Sequence, residues 1–411
     1  MKKTIFLLFI LSLILSFAGC PSPGKTRKKM PRLFTSNFVM ETGADPSFVI
    51  SEDFNRDGEI DLIVTNSGHN TLSYFKGRGD GTFKDQMTIK TGEEPICVVT
   101  SDFNNNGYPD LAVLNYKDQS INIYFNSRFG SFVKARITLR PGKIPINMVA
   151  GDFNRDGIND LAVTMRYHKV MILLGKGKGR FKNPVAIPVN GQPTAIVLGD
   201  YDRNKVIDIA VALAGSGKTG IQILWGIGNG TFHASTVFKG GGQPLTIANI
   251  DVDNDGYEDL VTSSNSLHAI TLIKNNKDKS FSALEDFASG SFPKFIVVAD
   301  FTGDGNADLA VSNSIDDLIT VSLGRGDGTF TYPPIAHVVD EYPQGMVVGD
   351  FDHDGLIDMA VTCRDKRLVS ILIKRNIIDP KPDIAGQSFT KTEQTTDTSF
   401  TPNNPDLIPR L

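Results

Sequence analysis

Seven short loops along the chain carry oxygen-bearing side chains at alternating positions, a pattern typical of sites that bind a hard metal ion. Loop one reads Asp-Phe-Asn-Arg-Asp-Gly-Glu-Ile-Asp over residues 53–61, and loops two to seven begin at positions 102, 152, 200, 251, 300 and 350. Side-chain oxygens fall at positions one, three, five and nine, and a glycine at position six lets the chain curl around one point. Several carboxylates, with a carbonyl oxygen from position seven, favour Ca²⁺ over Mg²⁺. Turns that use the same residues without metal are the alternative.

The loops differ in acidity, so we expect about five good Ca²⁺ sites. Loops five and seven have four acids each, loops one, three and six have three, and loop two has only two and should bind more weakly. The predicted ligands are Asp53, Asn55, Asp57 and Asp61; Asp102, Asn104, Asn106 and Asp110; Asp152, Asn154, Asp156 and Asp160; Asp251, Asp253, Asp255 and Asp259; Asp300, Thr302, Asp304 and Asp308; and Asp350, Asp352, Asp354 and Asp358.

Loop four is the doubtful one. It has Asp200, Asp202, Asn204 and Asp208, but Lys205 stands where the other loops have glycine. Both a positive charge and a Cβ atom at that position should oppose metal binding. We therefore expect this loop to be empty.

The loops recur every 48 to 51 residues, and the sequence around them repeats as well. A Gly-x-x-Pro-like turn and a short apolar strand precede each loop. Two further strands and a glycine turn follow, and a Phe then opens a fourth strand. Four short strands in each repeat of about 50 residues predict an all-β, seven-bladed propeller over residues 33–375. The last repeat lacks a fourth strand, and residues 34–41 match one, so the N-terminal strand should close the ring.

The repeats resemble the FG-GAP/VCBS repeat family, which is found in integrin α-subunit propellers and many bacterial surface proteins. Residues 152–163 carry its Asp-Phe-Asn-x-Asp-Gly-x-x-Asp-Leu-Ala-Val core, and residues 79–83 and 326–330 carry its Gly-Asp-Gly-Thr-Phe turn. The resemblance covers roughly residues 34–375. It implies Ca²⁺ between the first and second strands of each blade and a role in extracellular binding, adhesion or scaffolding.

The two ends of the chain read differently from the repeats. Lys2 and Lys3 precede an apolar run that is too short to span a bilayer, and a lipobox-like sequence ends at Cys20. We expect residues 1–20 to be a bacterial lipoprotein signal with Cys20 lipidated, which predicts a lipid-anchored protein of the cell envelope. A plain signal peptide is the alternative. Residues 21–32 should form a basic linker, and residues 376–411 a disordered tail.

Composition and motifs exclude several functions. The 411 residues include 42 basic and 46 acidic ones, for a net charge of −4, so no surface for nucleic acid is expected. Residues 212–219 resemble a phosphate-binding loop, but a strand rather than a helix follows, so no nucleotide site is expected. No nucleophile motif or isolated acid pair stands outside the repeats. We predict a non-enzymatic binding module, with an envelope enzyme acting on polysaccharide as the alternative.

The ligand should bind the face of the ring opposite the acidic loops. The hairpins and Gly-x-x-Pro turns of that face vary most among the repeats, and aromatic and Arg side chains there suit contact with a protein or a glycan. Solvated residues without a partner are the alternative. The candidate ligand-contacting residues are Tyr116, Arg166, Tyr167, His168, Phe292, Tyr342 and Arg364.

Overall fold

The protein forms a ring of seven β-sheets, as predicted. The structure is a computed structural model that describes residues 33–127, 129–264 and 266–375. Each sheet has four antiparallel strands in radial order, and blade five has a split outer strand. The innermost strand of each blade lies beside those of its two neighbours, and blade seven meets blade one. Within the described ranges no helix is long and apolar enough to cross a membrane. The predicted signal, Cys20, linker and tail lie outside these ranges.

The 29 strands are numbered in chain order. The innermost strands are β2 (Pro46–Glu52), β6 (Pro95–Ser101), β10 (Pro145–Gly151), β14 (Gly191–Gly199), β18 (Pro244–Ile250), β23 (Pro293–Ala299) and β27 (Pro343–Gly349). The second strands are β3 (Asp61–Asn66), β7 (Asp110–Asn115), β11 (Asp160–Met165), β15 (Asp208–Gly217), β19 (Asp259–Ser264), β24 (Asp308–Asn313) and β28 (Asp358–Cys363).

The third strands are β4 (Thr71–Phe75), β8 (Ser120–Ser127), β12 (Lys169–Leu173), β16 (Gly220–Gly226), β20 (Ala269–Asn275), β25 (Leu318–Ser322) and β29 (Leu368–Ile373). The outer strands are β5 (Met87–Lys90), β9 (Ser131–Leu139), β13 (Val185–Pro188), β17 (Phe232–Phe238), β21 (Phe281–Ala283) with β22 (Phe287–Ala288), β26 (Ile335–Val338) and, for blade seven, β1 (Ser36–Glu41).

The second strand of each blade is buried because it packs against both neighbouring blades. In β11, Leu161 and Val163 join the apolar cluster shared with blade two, whereas Ala162 joins the cluster shared with blade four. Side chains of a strand alternate between its two faces, so burial on both faces requires an unbroken apolar run. This explains the Asp-Leu-Ala-Val type of sequence that follows the acidic loops.

The N-terminal strand closes the ring, as expected. Strand β1 pairs antiparallel with β29, from Ser36 opposite Ile373 to Glu41 opposite Leu368. Phe34 is buried and packs edge-on against Phe301 of blade six, with ring centroids 6.1 Å apart. The N-terminal segment therefore supplies both a strand and an aromatic anchor.

In six of the seven loops an aromatic residue at position two packs against the following blade, and loop five has Val252 there. Phe153 of loop three packs on Phe232 of blade four at 5.6 Å, and Phe351 of loop seven packs on Phe83 of blade one at 5.6 Å. The repeated Phe after the glycine turn is thus an interblade contact. It does not always open the outer strand as predicted, because Phe83, Phe181 and Phe330 form isolated bridges before that strand begins.

The backbone carbonyl at loop position two is also capped by the following blade in all seven interfaces. A glycine N–H donates in four of them, as Gly81 does to Phe351 at 2.9 Å. The side-chain amides of Asn126 and Asn275 replace the glycine for loops one and four, and Lys374 Nζ does so for loop six. Every acidic loop is therefore tied to its neighbouring blade.

The strand directions divide the ring into two faces. The acidic loops and the glycine turns lie on one, which we call the metal face. The Gly-x-x-Pro turns and the hairpins between second and third strands lie on the other, which we call the hairpin face. Backbone bonds join adjacent segments there, for example Tyr116 N–H to Glu94 O at 2.8 Å.

Candidate metal centres

The first aspartate of every loop organises the backbone of its own loop. Asp350 accepts hydrogen bonds from the N–H groups of Asp354 (3.1 Å) and Gly355 (2.9 Å). The same pair of bonds forms in the other six loops. These are the metal-independent turns that the sequence left as an alternative. A carboxylate has about four acceptor sites, so such a turn does not exclude a metal ion.

Loop four adopts the same curl as the others despite Lys205. The glycine at position six has a positive φ, such as +81° at Gly355, and Lys205 has a φ of +64°. Its N–H donates to Asp200 Oδ2 at 2.8 Å, as the glycines do in the other loops. The Cβ of Lys205 therefore does not prevent the loop from curling, because this residue adopts the left-handed conformation. Weak metal binding by loop four stays a prediction.

The ninth residue of each loop is a buried carboxylate held by backbone donors. Asp358 accepts hydrogen bonds from the N–H groups of Phe351 (2.9 Å) and Lys374 (2.8 Å). Burial raises its pKa to about 7 because the charged form loses solvation. Burial likewise raises the pKa of Asp208 to about 7, that of Asp110, Asp160, Asp259 and Asp308 to about 6, and that of Asp61 above its usual range. A nearby cation would favour the charged form of these groups.

Three loops bring three carboxylates close enough to share one ion. Oxygens of Asp350, Asp352 and Asp358 lie within 4.8 Å of one another in loop seven. Loop five brings together Asp251, Asp253 and Asp255, and loop four brings together Asp200, Asp202 and Asp208. The doubtful loop four is thus among the best-assembled clusters.

Two of these clusters contain a buried oxygen that nothing in the described chain satisfies. Asp352 Oδ1 and Asp253 Oδ1 have no hydrogen-bond partner, and the side chains are 10% and 17% exposed. An unpartnered buried carboxylate oxygen is costly unless a cation or donor meets it. Both oxygens belong to loop position three, which the sequence predicts to be a ligand. Hard oxygen donors in this number fit Ca²⁺.

Loops one and two satisfy their own carboxylates. Asn104 donates its side-chain N–H to both oxygens of Asp110, at 3.1 and 2.8 Å. Asn55 donates to both oxygens of Asp61 at 3.3 and 3.1 Å, and Tyr74 Oη adds a bond at 2.8 Å. In both loops the side-chain amide of the Asn at position three donates to the carboxylate at position nine, and so supplies the stabilisation that a cation would otherwise give. Both loops therefore have less need of a metal.

The carboxylates of loops three and six, all of them described, do not form such a cluster. Asn154 Oδ1 accepts the Asp156 N–H at 2.9 Å, and Thr302 Oγ1 donates to Asp300 Oδ1 at 3.2 Å. At position five, Asp57, Asp156, Asp304 and Asp354 each accept the N–H of position seven, and Asn106 does the same in loop two. These predicted ligands therefore stabilise the turn of their own loop by hydrogen bonds, whether or not a metal ion is bound.

Lysines of blade five occupy two of the three clusters. Lys274 pairs with Asp253, and Lys277 Nζ lies 2.9 Å from Asp255 Oδ2. Lys279 Nζ lies 2.7 Å from Asp202 Oδ2 of loop four. Sequence reasoning missed these cations because they lie at the end of β20 and in the turn after it, far along the chain from the loops they neutralise. Their one signal is Lys-Asp-Lys at 277–279, where other blades have a glycine turn. In loop seven the corresponding contact is weaker, with Arg375 Nε 3.9 Å from Asp352.

The candidate ligand-contacting residues all lie on the hairpin face but form two separate groups. Tyr116 and residues 166–168 belong to the hairpins of blades two and three, and Tyr167 is 60% exposed. Phe292 and Tyr342 precede the prolines of blades six and seven, and Arg364 lies beside Tyr342. They therefore come from two kinds of segment rather than from one matching stretch.

Three comparisons place the chain among known proteins. No curated protein matches it significantly in sequence. It resembles the solved structure of BBS1N in complex with ARL6DN, soaked with lead, with a TM-score of 0.59 and 16% identity over 85% of this chain and 98% of that chain. It also resembles a protein from Lactobacillus plantarum, with a TM-score of 0.57 and 13% identity over 74% of this chain and 88% of that chain. A third similar structure is virginiamycin B lyase from Staphylococcus aureus, with a TM-score of 0.57 and 12% identity over 82% of this chain and 99% of that chain. At these identities the likeness shows the fold alone.

The repeat itself identifies the family. The model of the FG-GAP-like repeat matches residues 53–113, 102–163, 152–211, 206–262, 251–311 and 300–361. These overlapping matches run from 53 to 361, which is 309 of 411 residues or about three quarters of the chain. A propeller of such repeats fits a binding or scaffold module. The chain belongs to the family of FG-GAP-like repeat proteins.

Proposed function

We propose that this protein is a calcium-stabilised, non-enzymatic binding or scaffold module of the bacterial cell envelope, which recognises a protein or glycan on its hairpin face. The observation that supports this best is that the two faces differ in how far their residues take part in bonds within the ring. On the metal face each loop is tied by hydrogen bonds to itself and to the next blade. On the hairpin face the side chains differ from blade to blade, and several are exposed.

Ca²⁺ would supply positive charge to carboxylates that the protein leaves without a partner. Loop seven is the best candidate, because Asp350, Asp352 and Asp358 converge there and Asp352 Oδ1 is buried without a donor. Loops four and five offer equivalent clusters, but their lysines compete for the same carboxylates. We therefore propose loop seven as the strongest site.

A non-enzymatic role is supported by the lining of the central cavity. This space of about 380 Å³ lies between the innermost strands, and Phe48, Ile50, Val99, Leu198 and Phe295 are among its walls. Its lining has no ionisable side chain to act as a general acid or base. The buried aspartates with a raised pKa lie in the loops and are held by backbone donors.

Site-specific cross-linking tests which face binds. A photoreactive amino acid placed at Tyr167 on the hairpin face, or at Asp80 on the metal face, would be introduced into the full chain and exposed to envelope extract. We expect discrete cross-linked products from position 167 and none from position 80. Products from position 80 alone, or from neither, would contradict the proposal.

Envelope anchoring rests on the sequence around Cys20 and has its own test. Cells expressing the full chain would be labelled with a palmitate analogue and fractionated. We expect label and membrane association in the parent chain and loss of both in Cys20→Ala. An unlabelled parent chain would favour a plain signal peptide.

A further inference from the structure

On the hairpin face, blades five to seven carry a group of apolar side chains beside two positively charged residues, Lys294 and Arg364. Phe292 lies between two hairpins: its N–H donates to His268 Nδ1 of blade five at 3.1 Å, and its carbonyl accepts the Ser314 N–H of blade six at 3.2 Å. The adjoining hairpin residues Leu267 and Ile315 are 48% and 62% exposed. With Tyr342 from the next turn they form what we call the blade-six patch, which consists of Leu267, Phe292, Ile315, Tyr342, Lys294 and Arg364.

Hydrogen bonds of the backbone anchor the turns that carry the two aromatic residues. Phe292 and Tyr342 have φ angles of +61° and +59°, a conformation that bulky residues rarely adopt. Tyr342 N–H donates to Asp317 Oδ1 at 2.9 Å, so its turn is anchored as that of Phe292 is. At the same point in blades one to three the chain has Asp45, Glu94 and Ile144. Only blades six and seven place an aromatic ring there.

Lys294 is a positive charge without a counter-charge. Its Nζ lies 6.0 Å from the centroid of the Phe292 ring, and the described part of the chain offers it no hydrogen bond and no ion pair. Arg364 is nearby, with its guanidinium 5.8 Å from the Tyr342 ring. Burial, and then the charge of Arg364, lower the pKa of Lys294. A bound anion would relieve both effects.

The acids closest to the patch are already engaged. Asp317 accepts the Tyr342 N–H, Asp316 Oδ2 accepts the Ser291 N–H at 2.6 Å, and Asp45 Oδ1 pairs with Arg364 Nε at 3.3 Å. None of them pairs with Lys294. The ammonium group is thus left for a ligand.

We propose that the blade-six patch binds a protein segment that presents one acidic side chain between apolar residues, with Lys294 and Arg364 receiving its carboxylate. Partly exposed aromatic rings beside an exposed Arg side chain, as at Phe292, Tyr342 and Arg364, are typical of protein interfaces. Aliphatic side chains such as Leu267 and Ile315 favour a protein over a carbohydrate. This proposal rests on the hairpin face being the binding face.

The test uses the full chain in Ca²⁺ and pairs of synthetic heptapeptides. One member of each pair has a central Asp or Glu between Leu, Val or Phe residues, and the other has Asn or Gln instead. We expect at least one acidic family to bind tenfold or more tightly than its amide partner. Lys294→Met should abolish that difference and Arg364→Met should reduce it. The matched control is Lys366→Met, because Lys366 is exposed on the same face and pairs with Glu341 at 2.8 Å.

Each result bears on the proposal. Equal binding of acidic and amide peptides, or an unchanged preference in a folded Lys294→Met protein, would overturn it. Binding of acidic glycans that Lys294→Met abolishes, without any peptide preference, would overturn the choice of a protein ligand. If cross-linking from Tyr167 succeeds while Lys294→Met changes nothing, this inference fails and the binding face stands. If cross-linking from the hairpin face fails, the proposed function fails first.

Discussion

Replacing Asp352 with Asn should change the stability of the ring in opposite directions with and without calcium. The carboxylate is nine-tenths buried, and its Oδ1 has no partner among the described residues. Burial, and then the charge of Asp354, raise its pKa, so the metal-free protein carries an unfavourable charge there. Asn has the same shape without the charge. In EDTA, Asp352→Asn should therefore stabilise the fold by on the order of 1 kcal/mol.

In saturating calcium the sign should reverse. A site with free ion at 100 times its Kd contributes about 2.7 kcal/mol to the free energy of unfolding. If loss of a carboxylate ligand weakens that site a hundredfold, the contribution of the metal falls to about 0.4 kcal/mol, a loss of about 2.3 kcal/mol. Since the substitution also gains about 1 kcal/mol in the metal-free protein, the variant should be about 1.3 kcal/mol less stable than the parent in calcium. The change in sign, more than either magnitude, is the prediction.

Urea unfolding followed by circular dichroism measures both effects on the full chain. The matched control is Asp365→Asn, because Asp365 is exposed on the hairpin face and the substitution makes the same change in charge. The control should leave the unfolding free energy unchanged in both buffers. A variant Asp352→Asn that is less stable than the parent in EDTA as well as in calcium would refute the view that this carboxylate awaits a cation.

Three further outcomes follow from the same structure. Lys274→Met should raise the calcium affinity of loop five in isothermal titration calorimetry, and the control Lys366→Met should not. If Lys274→Met binds calcium no more tightly than the parent chain, Lys274 does not compete with the ion. Phe34→Ala should cost about 3–5 kcal/mol in urea unfolding because it removes a buried ring at the closure, whereas Val39→Ala, at a partly exposed position of β1, should cost much less. In EDTA, stability should fall between about pH 4 and 7, because Asp358 has a folded pKa of about 7, above its unfolded value of 3.8, and its contribution is lost as pH rises through that interval. Calcium should weaken this fall, and a pH dependence that is the same with and without calcium would contradict the reasoning.

The architecture could be predicted because each blade repeats local signals. The loop spacing, the Gly-x-x-Pro turns and the incomplete last repeat together predicted seven blades and closure by the N-terminal strand, which the structure confirms. The pairing of Phe34 with Phe301 could not be predicted in the same way. It joins residues 267 positions apart, and only the closed ring shows that Phe34 replaces the aromatic residue of a missing glycine turn.

The relative quality of the metal loops was harder to predict because it depends on residues outside them. Acid counts ranked loop five with loop seven, but Lys274 and Lys277 neutralise loop five from the end of the third strand and the turn after it. Loop four was judged by Lys205, whereas the backbone there is like that of its neighbours. Asn104 was taken as an oxygen donor, and it instead turns an N–H toward Asp110. The pattern of ligands in a loop specifies residue types, but it does not show which charged or polar side chains from other segments will contact those ligands.

The position of the acidic loops explains why a cation there would affect the whole ring. In every interface the loop carbonyl at position two receives a donor from the following blade, as Phe351 does from Gly81. The buried ninth residue, such as Asp358, holds the N–H of that same position and the end of the third strand. Charge repulsion that opens a loop would therefore loosen two blades together. Hairpins on the other face also bond to the next blade, as His268 and Asp317 do to the N–H groups of Phe292 and Tyr342. Exposed side chains there, such as those of Leu267 and Ile315, take no part in these bonds and can therefore be chosen for a partner.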